Sequence, residues 1–323
     1  MTNIQINDAN PEEHRWKGRR YYPISQYFVR RFGRRVGKVS VSIAETCPNR
    51  SDADDDRVCI FCDEWGSAAY PLEREKTLSE QIRHNIKHVR RRLKTDKFLV
   101  YFQSYTNTLD KVALLKSRFD TALAEEHIAG IVIGTRPDCL PQRLLSLLDQ
   151  VSQQHYAMVE LGAQSLFDDQ LEFLRRGHTA QCTVDAVKKL HEHTDADVCL
   201  HLMFGLPNET DAHIIETAQQ INALEISNVK LHNLHVLANT PLAKLYQEGL
   251  FTPVELDEYA EKVILFLRHL SPEIAVQRLA ALSSRWDELV APQWTRQKMP
   301  PIEFIENKMR TRGHYQSDLV SSY

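Results

Sequence analysis

The sequence lacks the features that would direct it into a membrane, out of the cell or onto nucleic acid by charge alone. No apolar run is long enough to span a bilayer, and the N-terminal residues do not form a signal peptide. The formal net charge is -3 and the sequence pI is about 6.5, so the whole chain has no basic character that demands nucleic acid. The six cysteines do not space as a disulfide framework, which favours a reducing compartment. We therefore expect a cytoplasmic protein with no membrane partner.

A dinucleotide-binding fingerprint is also missing, although strands and helices alternate along most of the chain. Predicted strands cover residues 38–44, 97–103, 128–134, 156–162, 197–205 and 228–236, with predicted helices over 77–94, 109–126, 141–153, 168–194 and 210–225. Regular strand–helix repetition predicts a parallel sheet with right-handed crossovers. Six units in roughly two hundred residues favour an α/β fold of the partial (β/α)6 TIM type over a closed eight-fold barrel. A doubly wound sheet is the alternative, but no G-x-G-x-x-G follows the first strand.

Beyond residue 241 the pattern becomes mostly helical, with helices predicted over 254–270 and 301–310 and a candidate seventh strand at 273–279. We expect three parts: a basic N-terminal extension (1–35), the barrel (36–240) and a C-terminal extension that covers the barrel (241–323).

Acidic residues are absent between His14 and Lys38, where nine lysines and arginines alternate with aromatic residues. One interpretation is a basic, aromatic surface for RNA or phosphate groups. The other is an N-terminal helix whose aromatic rings pack on the core while its arginines are solvated, and we favour it.

Half of the cysteines, Cys47, Cys59 and Cys62, lie within sixteen positions directly after the first predicted strand. The C-terminal ends of strands carry the chemistry in α/β folds. Three thiolates can bind zinc or an iron–sulfur cluster. A closed zinc site needs a fourth ligand, and the loop offers no further Cys or His, so a four-iron cluster with one open iron is the competing interpretation. Free buried thiols are the third.

Polar residues follow the other strands at the same edge. They include Gln103 and Ser104 after the second strand, Arg136 to Cys139 after the third, Glu160 and Gln164 on the fourth, and His201 on the fifth. Such groups are costly to bury unless they meet a ligand, so together they predict a cofactor site.

The cysteine loop resembles the cluster loop of radical S-adenosylmethionine (SAM) enzymes. The segments Tyr101–Thr108, Ile133–Cys139 and Val159–Ser165 resemble the YhcC-type family, which has an Elp3-like radical SAM core, and the likeness extends over roughly residues 20–280. The C-x11-C-x2-C spacing is typical of that family. Two stretches depart from it: an acidic run at 51–56 where glycines are expected, and Ala280-Ala281 where a Gly-Asp pair is expected.

The resemblance implies a role for each candidate residue. The thiolates of Cys47, Cys59 and Cys62 would hold three irons of a [4Fe-4S] cluster, and the open iron would chelate SAM. Phe61 would lie near adenine, Gln103 and Ser104 would bind the methionyl amine, and Glu160, Gln164 and His201 would reach the ribose. Arg176, with Arg175 as its rival, would pair with the methionyl carboxylate. Candidates for substrate chemistry are Cys139, Cys199 and His232. Lys230 and His232 share one strand face and Asn233 and His235 the other, and one of these pairs should face the barrel interior.

The implied activity is reductive cleavage of SAM to a 5′-deoxyadenosyl radical that abstracts hydrogen from a substrate, with a donor such as flavodoxin or ferredoxin supplying the electron. Three classes of function stay open. The substrate is RNA, such as a tRNA nucleoside; or it is a small metabolite or peptide; or the chain is a non-enzymatic metal-binding scaffold.

Overall fold

The computed structural model describes residues 16–44, 46–50, 58–62, 75–103, 105–283 and 287–320. The acidic run at 51–56 and Ser104 therefore lie outside the described residues. None of the helices in the described part of the chain is both long and apolar enough to cross a bilayer.

A curled, seven-stranded parallel sheet forms the body of the molecule, with the strands in the order β1-β2-β3-β4-β5-β6-β8. These strands are β1 (Gly37–Val41), β2 (Phe98–Phe102), β3 (Ile128–Thr135), β4 (Tyr156–Gln164), β5 (Asp197–Phe204), β6 (Asn228–Asn233) and β8 (Ala275–Val276). Neighbours along the chain are neighbours in the sheet, which is the order of a barrel and not of a doubly wound sheet. The predicted partial barrel is confirmed, and β8 extends it by a seventh strand. The short β7 (Val236–Leu237) and β9 (Leu289–Ala291) pair antiparallel beside it.

Helices surround the sheet, and several of them pack on its outer face. In chain order the helices are α1 (Ile24–Phe32), α2 (Leu78–Leu93), α3 (Val112–Leu123), α4 (Gln142–Gln154), α5 (Asp168–Phe173), α6 (Ala180–His193), α7 (Asp211–Ala223), α8 (Pro241–Gln247), α9 (Leu256–His269) and α10 (Met299–Arg312). Helix α2 begins at a reciprocal capping box between Thr77 and Glu80. Alternate strand residues such as Val159 and Leu161 pack against these helices in the main hydrophobic core.

The other strand residues point into the barrel, and their character changes along its axis. Near the N-terminal ends of the strands they are apolar: Leu99, Val132 and Met158 form a second core. One step further along β4 the inward residue is Glu160, and then come Gly162 and Gln164. The interior is therefore a packed base below a polar upper half.

Helix α1 closes the base of the barrel. Phe28 and Phe32 both contact the ring of Tyr156, with centroids 6.2 and 5.1 Å apart. Arg30 and Arg34 stay exposed and pair with Glu273 and Asp96. The packing that we favoured for the N-terminal segment is confirmed, since its aromatic rings contact the core and these arginines face solvent.

The N-terminal segment also contacts the C-terminal extension. The backbone N–H of Tyr22 donates to Gln316 Oε1 at 2.8 Å, and Arg19 Nη1 donates to the Glu306 carboxylate at 2.6 Å. The same extension supplies Ala280, Ala281, Leu282 and Lys298 to the cavity described below. The division into three parts at residues 35 and 240 stays a prediction.

Candidate cluster and cofactor site

A cavity of about 470 Å³ opens at the C-terminal edge of the sheet. The cysteine loop and every long strand except β1 contribute to its lining. Its described lining residues include all three loop cysteines together with Asn49, Arg50, Phe61, Tyr101, Gln103, Arg136, Glu160, Gly162, Gln164, Arg176, His201, Lys230, His232, His235, Arg278, Ala280, Ala281 and Lys298.

The Cys59 sulfur accepts hydrogen bonds from two side chains. Asn49 Nδ2 is 3.1 Å from it and Arg176 Nη1 is 3.3 Å from it. A hydrogen bond from Cys62, with the charge and hydrogen bond of Arg176, holds the pKa of the Cys59 thiol well below its ordinary value, although burial opposes this. The pKa of Cys62 is raised by the same shared bond and by burial. The pair therefore favours one thiolate before any metal is bound, which is the form that binds metal.

Among the described residues, Glu160, Cys199 and His201 are the one set of three metal-ligating side chains whose ligand atoms all lie within 4.8 Å of one another. Three thiolates on one zinc ion would be about 3.8 Å apart, given Zn–S bonds of about 2.3 Å. The three loop sulfurs as placed therefore do not form a ready-made zinc site.

Buried polar atoms without a protein partner also line this part of the cavity. Gln164 Oε1, Arg176 Nε and Arg136 Nη1 are buried and have no hydrogen-bond partner. Such atoms are costly unless a ligand satisfies them. They leave one acceptor and two donors for a polar ligand.

Gly162 makes this arrangement sterically feasible. A Cβ at this position would lie 2.9 Å from Gln164 Nε2 and 3.2 Å from Arg176 Nη2, and its carbonyl accepts from Arg176 at 2.7 Å. Gln164 itself has a φ of 67°, a left-handed conformation that is uncommon for residues other than glycine. Backbone strain of this kind concentrates at ligand sites.

Glu160 is the centre of a buried polar network. Its carboxylate accepts from Lys38 at 2.6 Å, from Gln277 and His201 at 2.8 Å, and from Lys230 at 3.0 Å. Lys230 also donates to the Tyr101 hydroxyl at 2.9 Å. The ribose contact of Glu160 stays a prediction. Each carboxylate oxygen of Glu160 already accepts two hydrogen bonds from protein side chains.

Burial and charge determine the protonation states in this network. Burial alone would raise the pKa of Glu160, but the charges of Lys230 and Lys38 and the bond from His201 hold it well below its ordinary value. Burial and the charge of Lys230 lower the pKa of His201 to about 4, so the imidazole is neutral at neutral pH. Burial lowers the pKa of Lys230 to about 8. Two ammonium groups here also make the Glu160, Cys199 and His201 set a poor site for a metal cation.

Lys230 and His232 project into the barrel, and Asn233 at the end of β6 also lines the cavity. His232 stacks beside His201, with ring centroids 5.2 Å apart, and Arg278 Nη2 lies 2.6 Å from its Nδ1. Asn233 accepts from the backbone N–H of Ala281 at 2.9 Å. His235 lies beyond the strand and also lines the cavity.

Most residues singled out in the sequence converge on the cavity. The cluster cysteines, Phe61, Gln103, Glu160, Gln164, Arg176, His201 and His232 all line it. Cys139 and Cys199 are buried and are not among the described lining residues, so their proposed role in substrate chemistry gains no support and stays a prediction. No structural observation tests the individual roles assigned by resemblance.

Sequence reasoning missed Asn49, Lys38, Gln277 and Arg278 as site residues. The sequence did contain a clue to Lys38, because a charged residue within a predicted strand is unusual unless it meets a buried partner. For Asn49 and Gln277 no local pattern distinguished them from ordinary surface amides.

The chain matches two family models that together span most of its length. Residues 41–221 match the Radical SAM superfamily, and residues 226–311 match the Radical_SAM C-terminal domain. The chain belongs to the radical SAM superfamily. It is 32% identical over 308 residues to the uncharacterized protein YtqA of Bacillus subtilis, covering 95% of each chain. It is 31% identical over 286 residues to protein YhcC of Escherichia coli, covering 88% of this chain and 91% of that one.

A solved structure supports the same radical SAM fold. The archaeal Elp3 of Methanocaldococcus infernus, lacking its N-terminus, superimposes with a TM-score of 0.66 at 19% identity, covering 86% of this chain and 63% of that chain. The protein is thus a YhcC-type radical SAM protein with an Elp3-like core. Members of this superfamily use a [4Fe-4S] cluster and SAM, and the donor set of the cavity fits both.

Proposed function

We propose that Cys47, Cys59 and Cys62 hold the cluster and that SAM binds beside it in the cavity, where the enzyme acts on a substrate that enters the same space. The observation that carries this proposal is the convergence of the three thiols with the unpartnered polar atoms of Gln164 and Arg176. A cluster with three protein ligands leaves one iron open.

When both groups are bound and one electron arrives from a donor such as flavodoxin or ferredoxin, they supply methionine and a 5′-deoxyadenosyl radical that abstracts hydrogen from substrate. The protein supplies binding, orientation and exclusion of water. Asn49 and Arg176 stabilise the Cys59 thiolate by charge-assisted or polar hydrogen bonds. Phe61 lies against Arg176, with its ring centroid 6.0 Å from the guanidinium carbon.

The contacts to SAM follow from which atoms are available. Arg176 offers its Nε and Gln164 offers its Oε1, so we assign the methionyl carboxylate to Arg176 and a ribose hydroxyl to Gln164. Gln103 lines the same cavity and is assigned to the methionyl amine, together with Ser104. His201 is held by Glu160 and presents a neutral ring. We therefore assign the second ribose contact to His201, with Glu160 as its positioning residue.

The position of the N-terminal arginines favours a small substrate over RNA. Arg30 and Arg34 lie at the N-terminal edge of the sheet, paired with residues that precede β8 and β2, whereas the cavity opens at the C-terminal edge. Strands of five to nine residues separate these edges. At about 3.3 Å per residue this is roughly 15–30 Å. The rings of Phe28 and Phe32, which flank Arg30, pack on Tyr156 and are not free to stack on bases.

A tRNA nucleoside as substrate is the alternative, and salt dependence distinguishes it. Phosphate-dominated binding to tRNA should weaken with a log–log slope steeper than about -3 when several phosphates are contacted. A salt-independent or absent tRNA interaction supports a small substrate. A steep slope that Arg30→Gln, Arg31→Gln, Arg34→Gln and Arg35→Gln together flatten supports RNA.

Anaerobic reconstitution followed by metal and product analysis tests the proposal. We expect about four irons and four sulfides per chain, the ligand set of one cluster. The scaffold alternative instead predicts a redox-inert metal and no SAM binding. Stoichiometric zinc without iron in such a preparation would refute the proposal that the protein is a radical SAM enzyme.

A further inference from the structure

Three basic side chains from the C-terminal half of the protein line the cavity, and we call them the cationic wall. They are Lys230 on β6, Arg278 after β8 and Lys298 before α10. Glu160 is the one acidic side chain among the cavity-lining residues that the structure describes. The wall therefore carries more positive charge than the one described lining carboxylate can balance.

Glu160 cannot neutralise the cationic wall by itself. Its carboxylate is shared between Lys230 at 3.0 Å and Lys38 at 2.6 Å. One negative charge faces two ammonium groups, which leaves a net positive charge before Arg278 and Lys298 are counted. His201 and Gln277, which occupy its remaining positions, add no negative charge.

Arg278 has only uncharged partners within the described chain. Its Nε donates to the Leu231 carbonyl at 3.2 Å, and its Nη2 contacts His232. Burial and the charge of Arg278 hold the pKa of His232 well below its ordinary value, so the ring is neutral. Neither Arg278 nor Lys298 forms an ion pair with any described acidic residue. By contrast, Arg136 in the same cavity has a bidentate pair with Asp138.

A buried guanidinium without a counter-ion is costly, and a ligand that brings the missing negative charge removes that cost. Guanidinium groups pair bidentately with carboxylates and phosphates. Ala280 and Ala281 line the cavity next to Arg278 in sequence, and their small side chains neither fill the space nor supply charge.

We propose that the cationic wall binds an anionic group of a small-molecule substrate, a carboxylate or a phosphate, with Arg278 as its principal contact. This inference rests on the proposed function, because it names the class of substrate that the cavity takes beside SAM. The positive charges of Lys298 and Lys230 attract the same anionic group electrostatically. The ion pair with Glu160 fixes the position of Lys230.

Anion binding to the holoenzyme tests the proposal. Reconstituted protein with SAM bound is titrated with inorganic phosphate and, separately, with succinate, and binding is followed by calorimetry. We expect one or both to bind, and Arg278→Met to weaken binding by at least about tenfold, the loss of one charge-assisted pair. Lys298→Met should weaken it less. Arg30→Met, which removes an exposed arginine at the opposite edge, is the matched control and should leave it unchanged. Binding of phosphate but not succinate indicates that the substrate carries a phosphate ester. Binding of succinate but not phosphate indicates that it carries a carboxylate.

The melting temperature of the variant without added anion separates recognition from a structural role. Removing an uncompensated buried charge should leave that temperature unchanged or raise it. A clear decrease would show that Arg278 is structural and would overturn the proposal. So would unchanged anion binding in Arg278→Met, absence of binding in the wild type, or competition between the anions and SAM, which would assign Arg278 to the SAM carboxylate.

Iron content and slow SAM cleavage without substrate report on the proposed function separately. Both should persist in the control Arg30→Met, whose side chain lies at the edge opposite the cavity. If the wild type retains both but binds neither anion, only this inference fails. If the wild type holds no iron, the proposed function fails.

Discussion

The two edges of the barrel both carry arginines, but in opposite surroundings. At the N-terminal edge the side chains of Arg30 and Arg34 are 76% and 57% exposed, and each pairs with an exposed carboxylate. At the C-terminal edge Arg136, Arg176 and Arg278 are inside or against a cavity. Exposed pairs of this kind contribute about 0–1 kcal/mol, whereas breaking a buried one costs several.

This difference shows that charge density along the sequence is a poor guide to function here. The basic segment between His14 and Lys38 closes the base of the barrel with its aromatic rings and presents Arg30 and Arg34 to water. The functional charges are isolated residues, each on a separate strand or loop, that only the fold brings together. Variants at the two edges should therefore differ sharply in their effects.

The largest effect is expected from the cluster cysteines. Cys47→Ala, Cys59→Ala or Cys62→Ala should each abolish iron binding, because each removes one of three protein ligands. Iron and sulfide per chain after anaerobic reconstitution are the measurement. Cys182→Ala, on helix α6 and away from the cavity lining, is the control and should bind iron like the wild type. Iron retained in all three loop variants would contradict the assignment.

A large loss of stability is expected from Glu160→Gln. This substitution leaves the ammonium groups of Lys38 and Lys230 without their shared carboxylate, at a cost of about 3–5 kcal/mol. Urea unfolding of the apo protein measures it, and Asp96→Asn, which removes the partner of exposed Arg34, should cost less than about 1 kcal/mol.

Adding Lys230→Met to Glu160→Gln should restore part of the lost stability, since one buried charge disappears with it. Equal destabilisation at Glu160 and Asp96 would erase the contrast between the two edges.

A smaller effect, confined to SAM, is expected from Gln164→Ala and Arg176→Ala. Arg176→Ala removes a charge-assisted hydrogen bond and should weaken SAM binding by about 10- to 100-fold, whereas Gln164→Ala removes a neutral one and should weaken it by about tenfold or less. Equilibrium binding of SAM to reconstituted protein gives the affinity, and iron content should remain at the wild-type level. Wild-type affinity in both variants would mean that the loop after β4 does not contact SAM.

The strands and helices were predictable because each depends on local periodicity. The segment Phe98–Phe102 is wholly buried and was identified from its apolar run alone. The network around Glu160 was not predictable, because its contacts join distant residues: Lys38 and Gln277, which both contact it, are 239 positions apart. Arg278 falls within the predicted strand at 273–279, but it was not recognised as a site residue, because only Ala275–Val276 forms strand and Arg278 reaches the cavity from the loop beyond it.

A modest pH dependence is expected from Lys230. Burial lowers its pKa to about 8 from an ordinary 10.5, so between these values the unfolded chain binds more protons than the folded chain. The free energy of unfolding should therefore rise with pH across this window, by about 1–2 kcal/mol. Urea unfolding at pH 7.5 and 9.5 should show this rise in the wild type relative to Lys230→Met. An identical pH dependence in both proteins would place Lys230 in water.

The smallest effect is expected at the N-terminal edge. Replacing Arg30, Arg31, Arg34 and Arg35 together by Gln should change neither iron content nor SAM cleavage, because these side chains are exposed and lie at the edge opposite the cavity. Each substitution should alter stability by less than about 0.5 kcal/mol. Loss of SAM cleavage in this variant would show that the two edges are coupled.

The central claim is tested most directly by the product of SAM cleavage. Reconstituted wild-type protein is reduced with dithionite in the presence of SAM, and 5′-deoxyadenosine is quantified by mass spectrometry. We expect slow formation of 5′-deoxyadenosine and methionine in equal amounts without substrate, and none from Cys59→Ala. Protein that holds about four irons per chain and binds SAM, yet forms no 5′-deoxyadenosine under these conditions, would contradict the account.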